Sequence, residues 1–290
     1  ILSGLVGSEM CIRDSDGSML DAWDDEVETY GVDPAENLFS ISSGKGHNIS
    51  CGFFTGKEFE DKKFDVITVL NAFAHNANQT QLLNNIKEVM HDDTVLICSV
   101  SQADMIVNGE FDTIYHEHLS FYNIKSMNEL CKRSGLNLID VVKHDIHGGS
   151  YLFIVSKTQS NPEHIQKLID DETSRGVHDV QTYKDFATKS HEMANTFAEM
   201  IRAWRALGVP VIGYTAPAKG NTLLNFAEEA PDYIFDDTPQ KQNKLAPGMD
   251  TPVYATDFAS LDEHTTVMFI PLAWNYFPDM VRKIINVRSD

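Results

Sequence analysis

The stretch FDVITVL, residues 64–70, decides the fold of this chain. It is a near-continuous apolar run, which is typical of a strand that a parallel sheet buries on both faces. Helical and extended patterns alternate on either side of it. The predicted elements are a helix at 18–29, a strand at 30–33, a helix at 79–90, a strand at 94–100, a helix at 126–134 that Gly135 ends, and strands at 136–144 and 150–156. Such alternation predicts a doubly wound α/β sheet.

A change of composition near residue 157 predicts a second domain. Pro162 suits the first turn of a helix, and the polar sequence that continues to 207 predicts two helices. A second α/β unit follows. Its predicted strands lie at 209–214, 233–236 and 265–271, and its helices at 221–229 and 279–285. We therefore predict one domain at 16–157 and another at 158–290.

Residues 1–15 differ from the rest of the chain. They have no clear hydrophobic period, and the α/β pattern begins only at Asp16. The segment also lacks the basic start and continuous apolar centre of a signal peptide. We interpret it as a linker or an artefact and leave it out of the functional interpretation.

Composition excludes several classes of function. A formal net charge of −20 over 290 residues argues against a nucleic-acid-binding or anionic-membrane surface, because both would repel the chain. No run of about 18 apolar residues is present, so no transmembrane helix is expected. The four cysteines form no CxxC pair, which favours a reducing cytoplasm and buried thiols over disulfides or zinc.

Four consecutive residues with proton-transfer chemistry lie inside an aromatic stretch. Tyr115, His116, Glu117 and His118 bring a phenol, two imidazoles and a carboxylate together. The unperturbed pKa of histidine lies near neutrality, so general acid–base catalysis is the obvious use. The alternative is a buried knot of polar side chains that satisfy one another.

Polar and aromatic residues also follow the predicted strands of the first domain. In a doubly wound sheet, ligands bind at the carboxyl ends of the strands. Asp33 ends strand 30–33, where a carboxylate suits a ribose diol, and Asn71 and His75 follow strand 64–70. Phe53 and Phe54 suit an adenine sandwich. Each of these features also has an ordinary structural explanation.

The second domain carries a pattern that suits an anion. Strand 209–214 leads into the turn GYTAPAKG, residues 213–220, and a helix predicted to start at Asn221 and Thr222. Free amides and the helix dipole would point at this turn, and Lys219 adds a positive charge. The spacing is not that of a Walker loop. An ordinary strand-to-helix turn capped by Asn221 remains the alternative.

Two more segments offer polar groups to a ligand. The sequence HGGS at 147–150 predicts a close backbone approach, or simply a hairpin or bulge before strand 150–156. The polar loop at 236–248 contains Lys241 and Lys244. Both lysines suit a diphosphate, although a solvated loop explains them as well.

Four motifs occur in the order in which one known family has them. They are NAFAH at 71–75, YHEHLSFY at 115–122, HGGS at 147–150 and GYTAPAKGNTLLN at 213–225. On these motifs the sequence resembles the S-adenosylmethionine-dependent C-methyltransferases that act on nucleotide-linked 4-keto-deoxysugars. The resemblance runs from about Asp16 to near the C-terminus. It implies a Rossmann-like class I methyltransferase domain, S-adenosyl-L-methionine as the cofactor, and methylation of carbon 3 of a sugar that is linked to thymidine diphosphate.

The resemblance also implies roles for individual residues. His118 is implied as the base that removes the carbon 3 proton, with Tyr115, His116, Glu117 and His75 supporting it. The implied cofactor-binding residues are Gly17, Asp33, Phe53, Phe54 and Asn71. The implied substrate-binding residues are His147, Gly148, Gly149, Ser150, Tyr214, Lys219, Asn221, Thr222, Lys241 and Lys244.

The sequence departs from the family pattern mainly before residue 18. Only Asp16 and Gly17 remain of the glycine-rich cofactor turn, and the strand that should precede the turn is expected to be missing. The family's cysteine-rich zinc module has no counterpart, so we expect an N-terminally truncated member, and Asn243 stands where glycine is expected. The alternative function is a non-catalytic nucleotide-sugar-binding protein or an inactive fragment. A dehydrogenase is disfavoured, because no G-x-G-x-x-G follows any strand.

Overall fold

The computed structural model describes residues 7–12, 16–59, 62–101, 104–145, 148–261 and 266–287. The chain forms two compact units. The first comprises Ile1–Asp104 and Glu117–His178, and the second comprises Met105–His116 and Asp179–Asp290. The sequence pattern placed the domain boundary at 157, whereas packing assigns 158–178 to the first unit. The functional division of the chain stays a prediction.

The described residues form the following regular elements. The strands are β1 Ser8–Ile12, β2 Glu28–Asp33, β3 Asn48–Cys51, β4 Phe64–Leu70, β5 Met90–Val100, β6 Asn137–His144, β7 Ser150–Ser156, β8 Val211–Tyr214, β9 Tyr233–Asp236, β10 Lys244–Ala246, β11 Thr251–Ala255 and β12 Met268–Pro271. The helices are α1 Glu36–Gly44, α2 Gln79–Glu88, α3 Met105–Asn108, α4 Ile124–Arg133, α5 Pro162–Ser174, α6 Val180–Ala206, α7 Ala218–Ala227 and α8 Phe277–Val287. None of these helices combines the length and apolar character needed to cross a bilayer.

The first unit is built on a seven-stranded sheet in the order β3-β2-β1-β4-β5-β7-β6. Neighbouring strands among β3, β2, β1, β4 and β5 pair in parallel. β7 is antiparallel to both β5 and β6. β4 lies near the centre, and Phe64, Ile67 and Val69 are buried in the core, as the apolar run predicts. The predicted doubly wound, Rossmann-like fold is confirmed.

The prediction of a missing first strand was wrong. Ser8–Ile12 forms β1, which pairs with β2 on one side and with β4 on the other. Met10 and Cys11 are fully buried, and the buried carboxylate of Glu9 accepts a hydrogen bond from the Thr68 hydroxyl at 2.8 Å. Three apolar residues in succession are too few to show a period, so the pattern at 1–15 carried no strand signal. Whether that segment is an artefact stays a prediction.

The helix predicted at 18–29 was also wrong. The structure has a single 3-10 turn at Leu20–Ala22, and β2 already begins at Glu28. Only Leu20 of the turn is buried. The acidic residues that follow offer no apolar stripe for a helix to bury, and such a stripe supplies most helix stability in proteins.

The second unit is built on a five-stranded sheet in the order β10-β11-β9-β8-β12. β11, β9, β8 and β12 pair in parallel, and β10 is antiparallel to β11. The chain moves from β8 to β9 on one side and later returns to place β12 on the other side. The order of the strands therefore reverses at β8, and a sheet of this kind has its ligand crevice at the carboxyl ends of the strands at such a point.

Candidate active site

Gly17 makes a turn that excludes a side chain. Its φ of +76° lies in the left-handed region, and a β-carbon at this position would lie 3.1 Å from the His47 ring and 3.2 Å from Ser42. The Gly17 carbonyl accepts a hydrogen bond from the Asp21 amide at 3.0 Å. Glycine is the residue that adopts such a conformation at no steric cost. This turn lies where the sequence predicts the end of the cofactor loop.

Asp33 lies at the carboxyl end of β2, as predicted. Its side chain is buried, and its Oδ1 accepts a hydrogen bond from the Ala35 amide at 2.8 Å. The backbone carbonyl of Asp33 accepts from Gly52, which closes the turn after β3. This places an oriented carboxylate beside the end of the central strand β1.

The two phenylalanines after β3 differ in their surroundings. Phe53 is 81% exposed. Phe54 is half-buried and packs against the core of the first unit. Of the two rings, Phe53 is therefore the one that is accessible for stacking on a ligand.

Asn71 and His75 follow β4, at the edge of the sheet where Asp33 also lies. Asn71 has a left-handed backbone with φ of +50°, and its amide donates to the Ser99 carbonyl at 3.1 Å. A left-handed asparagine is uncommon, and such strained positions cluster at functional sites. His75 ends the 3-10 turn Phe73–His75.

The structure brings His75, Glu117 and His118 together within the first unit. His75 Nδ1 lies 3.9 Å from Glu117 Oε2, and the rings of His75 and His118 pack edge to face with centroids 5.0 Å apart. His118 is buried, whereas the Glu117 side chain is 54% exposed. Two imidazoles beside a carboxylate can accept a proton and stabilise the resulting charge.

Local packing fixes this cluster. The Leu119 amide donates to the Ala74 carbonyl at 2.9 Å, which joins the segment after His118 to the turn that carries His75. The Phe121 ring lies 6.2 Å from the His118 ring. Tyr122 packs on Phe73 with ring centroids 5.3 Å apart, and burial raises the pKa of Tyr122 to about 12. Tyr122 is therefore a protonated core residue at neutral pH.

The glycines of the HGGS motif precede β7. Gly148 and Gly149 have φ of +89° and +129°, and Ser150 is fully buried at the start of the strand, where it pairs with His144. Burial makes the Ser150 side chain a poorer candidate for contact with substrate than the glycine backbone. His147 lies outside the described residues.

Tyr115 and His116 belong to the second unit, where they line a cavity of about 900 Å³. The turn after β8 and the first turns of α7 line it as well, and Leu272 contributes from the end of β12. The cavity thus lies where the order of the strands reverses. The chain passes from the second unit to the first between His116 and Glu117.

The start of α7 differs from the prediction. The helix begins at Ala218 with Pro217 as its N-cap, so Asn221 lies inside the helix and does not cap it. The buried Oδ1 of Asn221 has no hydrogen-bond partner among the described residues, and Asn221 and Thr222 both line the cavity. Lys219 is half-buried in the first turn, and its Nζ lies 5.1 Å from the centre of the Trp274 ring.

Tyr214 does not line the cavity. Its side chain is buried against Phe258 with ring centroids 5.0 Å apart, and its hydroxyl donates to Asp237 Oδ2 at 3.2 Å. Burial and the negative charge of Asp237 raise the pKa of Tyr214. These contacts give the residue a place in the core.

Lys241 and Lys244 both line the cavity, but they differ in their bonding. Lys241 Nζ donates to the Ala216 carbonyl at 3.0 Å and lies 3.4 Å from Asp236 Oδ2. Lys241 therefore braces the turn before α7, and Asp236 offsets part of its charge. Lys244 is exposed at the start of β10.

Sequence reasoning missed Asp236. Its Oδ2 accepts from the Ala216 amide at 2.6 Å and its Oδ1 from the Thr238 amide at 2.8 Å. Burial acts to raise the pKa of Asp236, but these bonds and the charge of Lys241 outweigh it and lower the pKa. An acid that ends a predicted strand was the available signal.

Sequence reasoning also missed a bond between Asp112 and Trp274. The indole nitrogen of Trp274 donates to Asp112 Oδ2 at 2.6 Å, and Asp112 is buried. The two residues are 162 positions apart, so no local pattern connects them.

Comparison with known proteins gives two family matches. The model of the C-methyltransferase C-terminal domain matches residues 145–290, and that of a methyltransferase domain matches residues 15–141. The C-methyltransferase NovU of Streptomyces niveus is 29% identical over 263 residues, which cover 87% of this chain and 62% of NovU. The chain thus spans about 62% of the length of that relative.

Solved structures resemble roughly half of the chain. An S-adenosylmethionine-dependent methyltransferase from Clostridium acetobutylicum is 11% identical, with a TM-score of 0.44 over 53% of this chain and 85% of its own. The N-methyltransferase NodS from Bradyrhizobium japonicum is 10% identical, with a TM-score of 0.43 over 54% of this chain and 89% of its own.

Proposed function

From the premise that this chain belongs to the C-methyltransferase family, whose C-terminal domain it carries at residues 145–290, we propose that it methylates carbon 3 of a nucleotide-linked 4-keto-deoxysugar. The methyltransferase domain matched at residues 15–141 implies S-adenosyl-L-methionine as the methyl donor. The sugar and its nucleotide are the finer part of the proposal. They rest on the chemistry of the residues described above.

The first unit has residues of the chemical types that could bind this methyl donor. The Gly17 turn, which a β-carbon would fill, allows close backbone approach, and Asp33 offers a carboxylate at the end of β2 for the ribose hydroxyls. The exposed Phe53 ring suits the adenine, with Phe54 behind it in the core. Asn71 lies at the end of β4. When bound, S-adenosyl-L-methionine would supply a methyl group on a positively charged sulfur, and attack of a carbon nucleophile on that methyl carbon would release S-adenosylhomocysteine.

A carbon nucleophile requires an acidified C–H bond. A ketone at carbon 4 makes the carbon 3 proton acidic, because the electron pair left behind is shared with the ketone oxygen as an enediolate. His118 is the base that we assign to this proton. It is buried beside His75, and Glu117 lies close enough to His75 to stabilise a positive charge in the cluster. An imidazole is the side chain suited to this transfer at neutral pH.

Tyr115 and His116 are assigned to the developing oxyanion. They immediately precede Glu117 and His118 in the chain, and they line the cavity of the second unit. A phenol and an imidazole N–H are donors of the kind that stabilise an enediolate oxygen when they are placed in advance. We thus assign both a base and hydrogen-bond donors to residues 115–118, the catalytic tetrapeptide.

The cavity of the second unit is assigned to the nucleotide sugar. The amides at the start of α7 and the positive end of its dipole suit a diphosphate, and Lys219 and Lys244 add charge. Lys241 acts mainly by bracing the turn. Asn221 and Thr222 offer polar groups from the first turns of the helix. Thymidine diphosphate is the proposed carrier, and Gly148 and Gly149 are assigned to backbone contact with substrate.

The packing of His75, Glu117 and His118 is the single observation that carries this proposal. A non-catalytic binding protein has no need of two imidazoles and a carboxylate at the end of a sheet. The alternative of a non-catalytic protein rested mainly on a missing first strand, and Ser8–Ile12 forms that strand.

Two measurements test the proposal. In deuterated water the chain should exchange the carbon 3 proton of a thymidine-diphosphate-linked 4-keto-6-deoxyhexose, which mass spectrometry detects as a gain of one mass unit. Addition of S-adenosyl-L-methionine should then give a product that carries one more methyl group. Titration calorimetry with S-adenosylhomocysteine and with thymidine diphosphate separates binding from turnover. If the folded chain binds both ligands but neither exchanges nor methylates any 4-keto sugar, the assignment is wrong.

A further inference from the structure

A hydrogen bond between two distant residues ends close to the catalytic tetrapeptide. Within the second unit, Trp274 Nε1 donates to Asp112 Oδ2 at 2.6 Å. Trp274 lies in the turn after β12, at the carboxyl end of the sheet, and Asp112 lies three residues before Tyr115. A charge-assisted bond of this length is about twice as strong as a neutral one.

The backbone between Asp112 and Tyr115 transmits the position of Asp112. Ile114 donates to Phe111, and Tyr115 donates to Thr113, at 3.0 and 3.2 Å. Two successive tight turns leave few conformations for this link. The position of Asp112 therefore constrains where Tyr115 and His116 meet the cavity.

A second contact holds the same segment. The Phe111 ring packs on Phe226 of α7 with centroids 5.1 Å apart, and Phe226 lines the cavity together with Tyr115 and His116. One ring and one carboxylate thus fix the segment at two points. An apolar contact alone would leave the segment free to slide, because such contacts are not directional.

The charge at Asp112 is balanced inside the unit. Burial raises the pKa of Asp112, while the hydrogen bond from Trp274 and the positive charge of Lys219 oppose this rise. Lys219 Nζ also lies over the Trp274 ring, at 5.1 Å from its centre. An unpaired buried carboxylate would be costly, and these two neighbours lower that cost.

We infer that Asp112 and Trp274 are positioning residues, whose hydrogen bond fixes Tyr115 and His116 at the edge of the cavity. The inference rests on the proposed function only for its effect on turnover. Neither residue lines the cavity. The bond determines how well the donors of the tetrapeptide are preplaced, and a displacement of about 1 Å can lower a rate by roughly a hundredfold.

The test is Trp274→Phe, with Trp204→Phe as its matched control. Phenylalanine keeps an aromatic ring near Lys219 and removes the indole N–H together with the five-membered ring that carries it. Trp204 packs against the core of the same unit, so its substitution reports the general cost of losing an indole. We expect Trp274→Phe to lower kcat by about tenfold or more, with KM for both substrates within about twofold of the wild type. Trp204→Phe should keep kcat while it lowers Tm.

A spectroscopic readout keeps the inference testable without turnover. In the chain labelled with 15N-histidine, the imidazole signals of His116, assigned with His116→Gln, should shift in Trp274→Phe and stay in place in Trp204→Phe. If the wild type methylates nothing but these signals shift as expected, the proposed function fails and the positioning role stands.

A second variant separates the hydrogen bond from the charge. Asp112→Asn keeps an oxygen that can accept from the indole, so it should retain more of kcat than Trp274→Phe does. The inference is overturned if Trp274→Phe leaves both kcat and the His116 signals unchanged. It is also overturned if Trp204→Phe lowers kcat as much as Trp274→Phe, because the effect would then be one of stability.

Discussion

His118 is the residue whose substitution most directly probes the proposed chemistry. We expect His118→Gln to lower the rate of carbon 3 proton exchange and of methyl transfer by about 10²- to 10⁴-fold, because a neutral amide cannot accept the proton. Calorimetric affinity for S-adenosylhomocysteine should change by less than about threefold, since the assigned cofactor residues are elsewhere. Deuterium exchange followed by mass spectrometry measures the first effect.

His164→Gln is the matched control for that variant. His164 lies in α5 of the same unit, where its Nε2 is 2.7 Å from Asp140 and its side chain is 40% exposed. Exchange and methyl transfer should stay at the wild-type rate. Full exchange in His118→Gln would remove His118 from its role as the base.

Asp104 supports a prediction about pH. Its carboxylate accepts hydrogen bonds from Lys143 and Arg175, and from the Tyr151 hydroxyl at 3.1 Å. Burial acts to raise the pKa of Asp104, but the two cations outweigh it and lower the pKa below the ordinary 3.8. The stability that ionised Asp104 adds is therefore complete above about pH 4 and is lost as the pH falls through the lowered pKa.

Asp104→Asn should destabilise the chain at pH 7 by about 2 kcal/mol, which lowers Tm by about 4–8 °C. Asparagine tolerates the left-handed backbone of this position, where φ is +57°. The difference from the wild type should shrink as the pH falls below 3.8. Glu129→Gln, which removes an exposed pair with Lys132, is the control and should change Tm little. An equal loss of Tm at pH 7 and at pH 3 would contradict this account.

At the level of single residues, the sequence revealed functional groups that are adjacent in the chain and missed contacts between distant residues. Tyr115 to His118 stand next to one another, so their chemistry is visible in the sequence. A functional role for His75, which lies beside Glu117 and His118, was predicted with the help of the resemblance to a family. Trp274 carried no signal at all, because its partner lies 162 positions away.

Gly220 determines how closely α7 packs against the turn after β12. A β-carbon there would lie 2.7 Å from the β-carbon of Leu272 and 3.1 Å from its carbonyl oxygen. We expect Gly220→Ala to destabilise the second unit by about 1–3 kcal/mol, despite a gain in helix propensity of about 1 kcal/mol. Because α7 must shift, affinity for thymidine diphosphate should fall. Thermal unfolding and calorimetry measure the two effects.

Gly44→Ala provides the control for helix propensity. Gly44 ends α1, and a β-carbon there would meet no atom within 4 Å. This substitution should leave Tm unchanged or raise it. A rise in Tm for Gly220→Ala would show that the Leu272 turn can move at little cost.

The accuracy of the predicted elements follows from how each is stabilised. β4, β7 and β9 were predicted with the bounds that the structure has, because buried strands are apolar runs between polar breaks. The start of α7 was wrong by three residues, because Asn221 resembles a cap whereas Pro217 occupies the N-cap. β1 was missed because its extended conformation depends on pairing with β2 and β4, which lie further along the chain.

The net charge of −20 predicts an unusual salt dependence for the whole molecule. Two of the assigned lysines have anionic neighbours, Lys241 near Asp236 and Lys219 near Asp112. The average field should therefore repel a dianionic nucleotide sugar, and salt screens it over a Debye length of about 10 Å at 0.1 M. We expect KM for the nucleotide sugar to fall as sodium chloride rises from about 10 to 150 mM.

The binding of adenosine supplies the control for that measurement. It carries no net charge, so its affinity should change little over the same range of salt. A KM for the nucleotide sugar that rises with salt would mean that local cations dominate its binding.

The fold class was predictable from alternation alone, but the path of the chain was not. Packing assigns Met105–His116 to the second unit, although the residues on either side belong to the first. Twelve residues without a strong period give no sign of which core they join. Their assignment depends on contacts such as that of Phe111 with Phe226, which a linear pattern does not contain.

The packing of Met105–His116 in the second unit has a consequence for recombination among relatives. A crossover near residue 157 would not exchange whole units, because Met105–His116 would stay with the first half and have to pack on a second unit from another parent. Tyr115 and His116 would then be inherited apart from the cavity that they line. Functional chimeras should therefore need three junctions, near residues 104, 116 and 178. In families with this arrangement, residues 105–116 and 179–290 should diverge together.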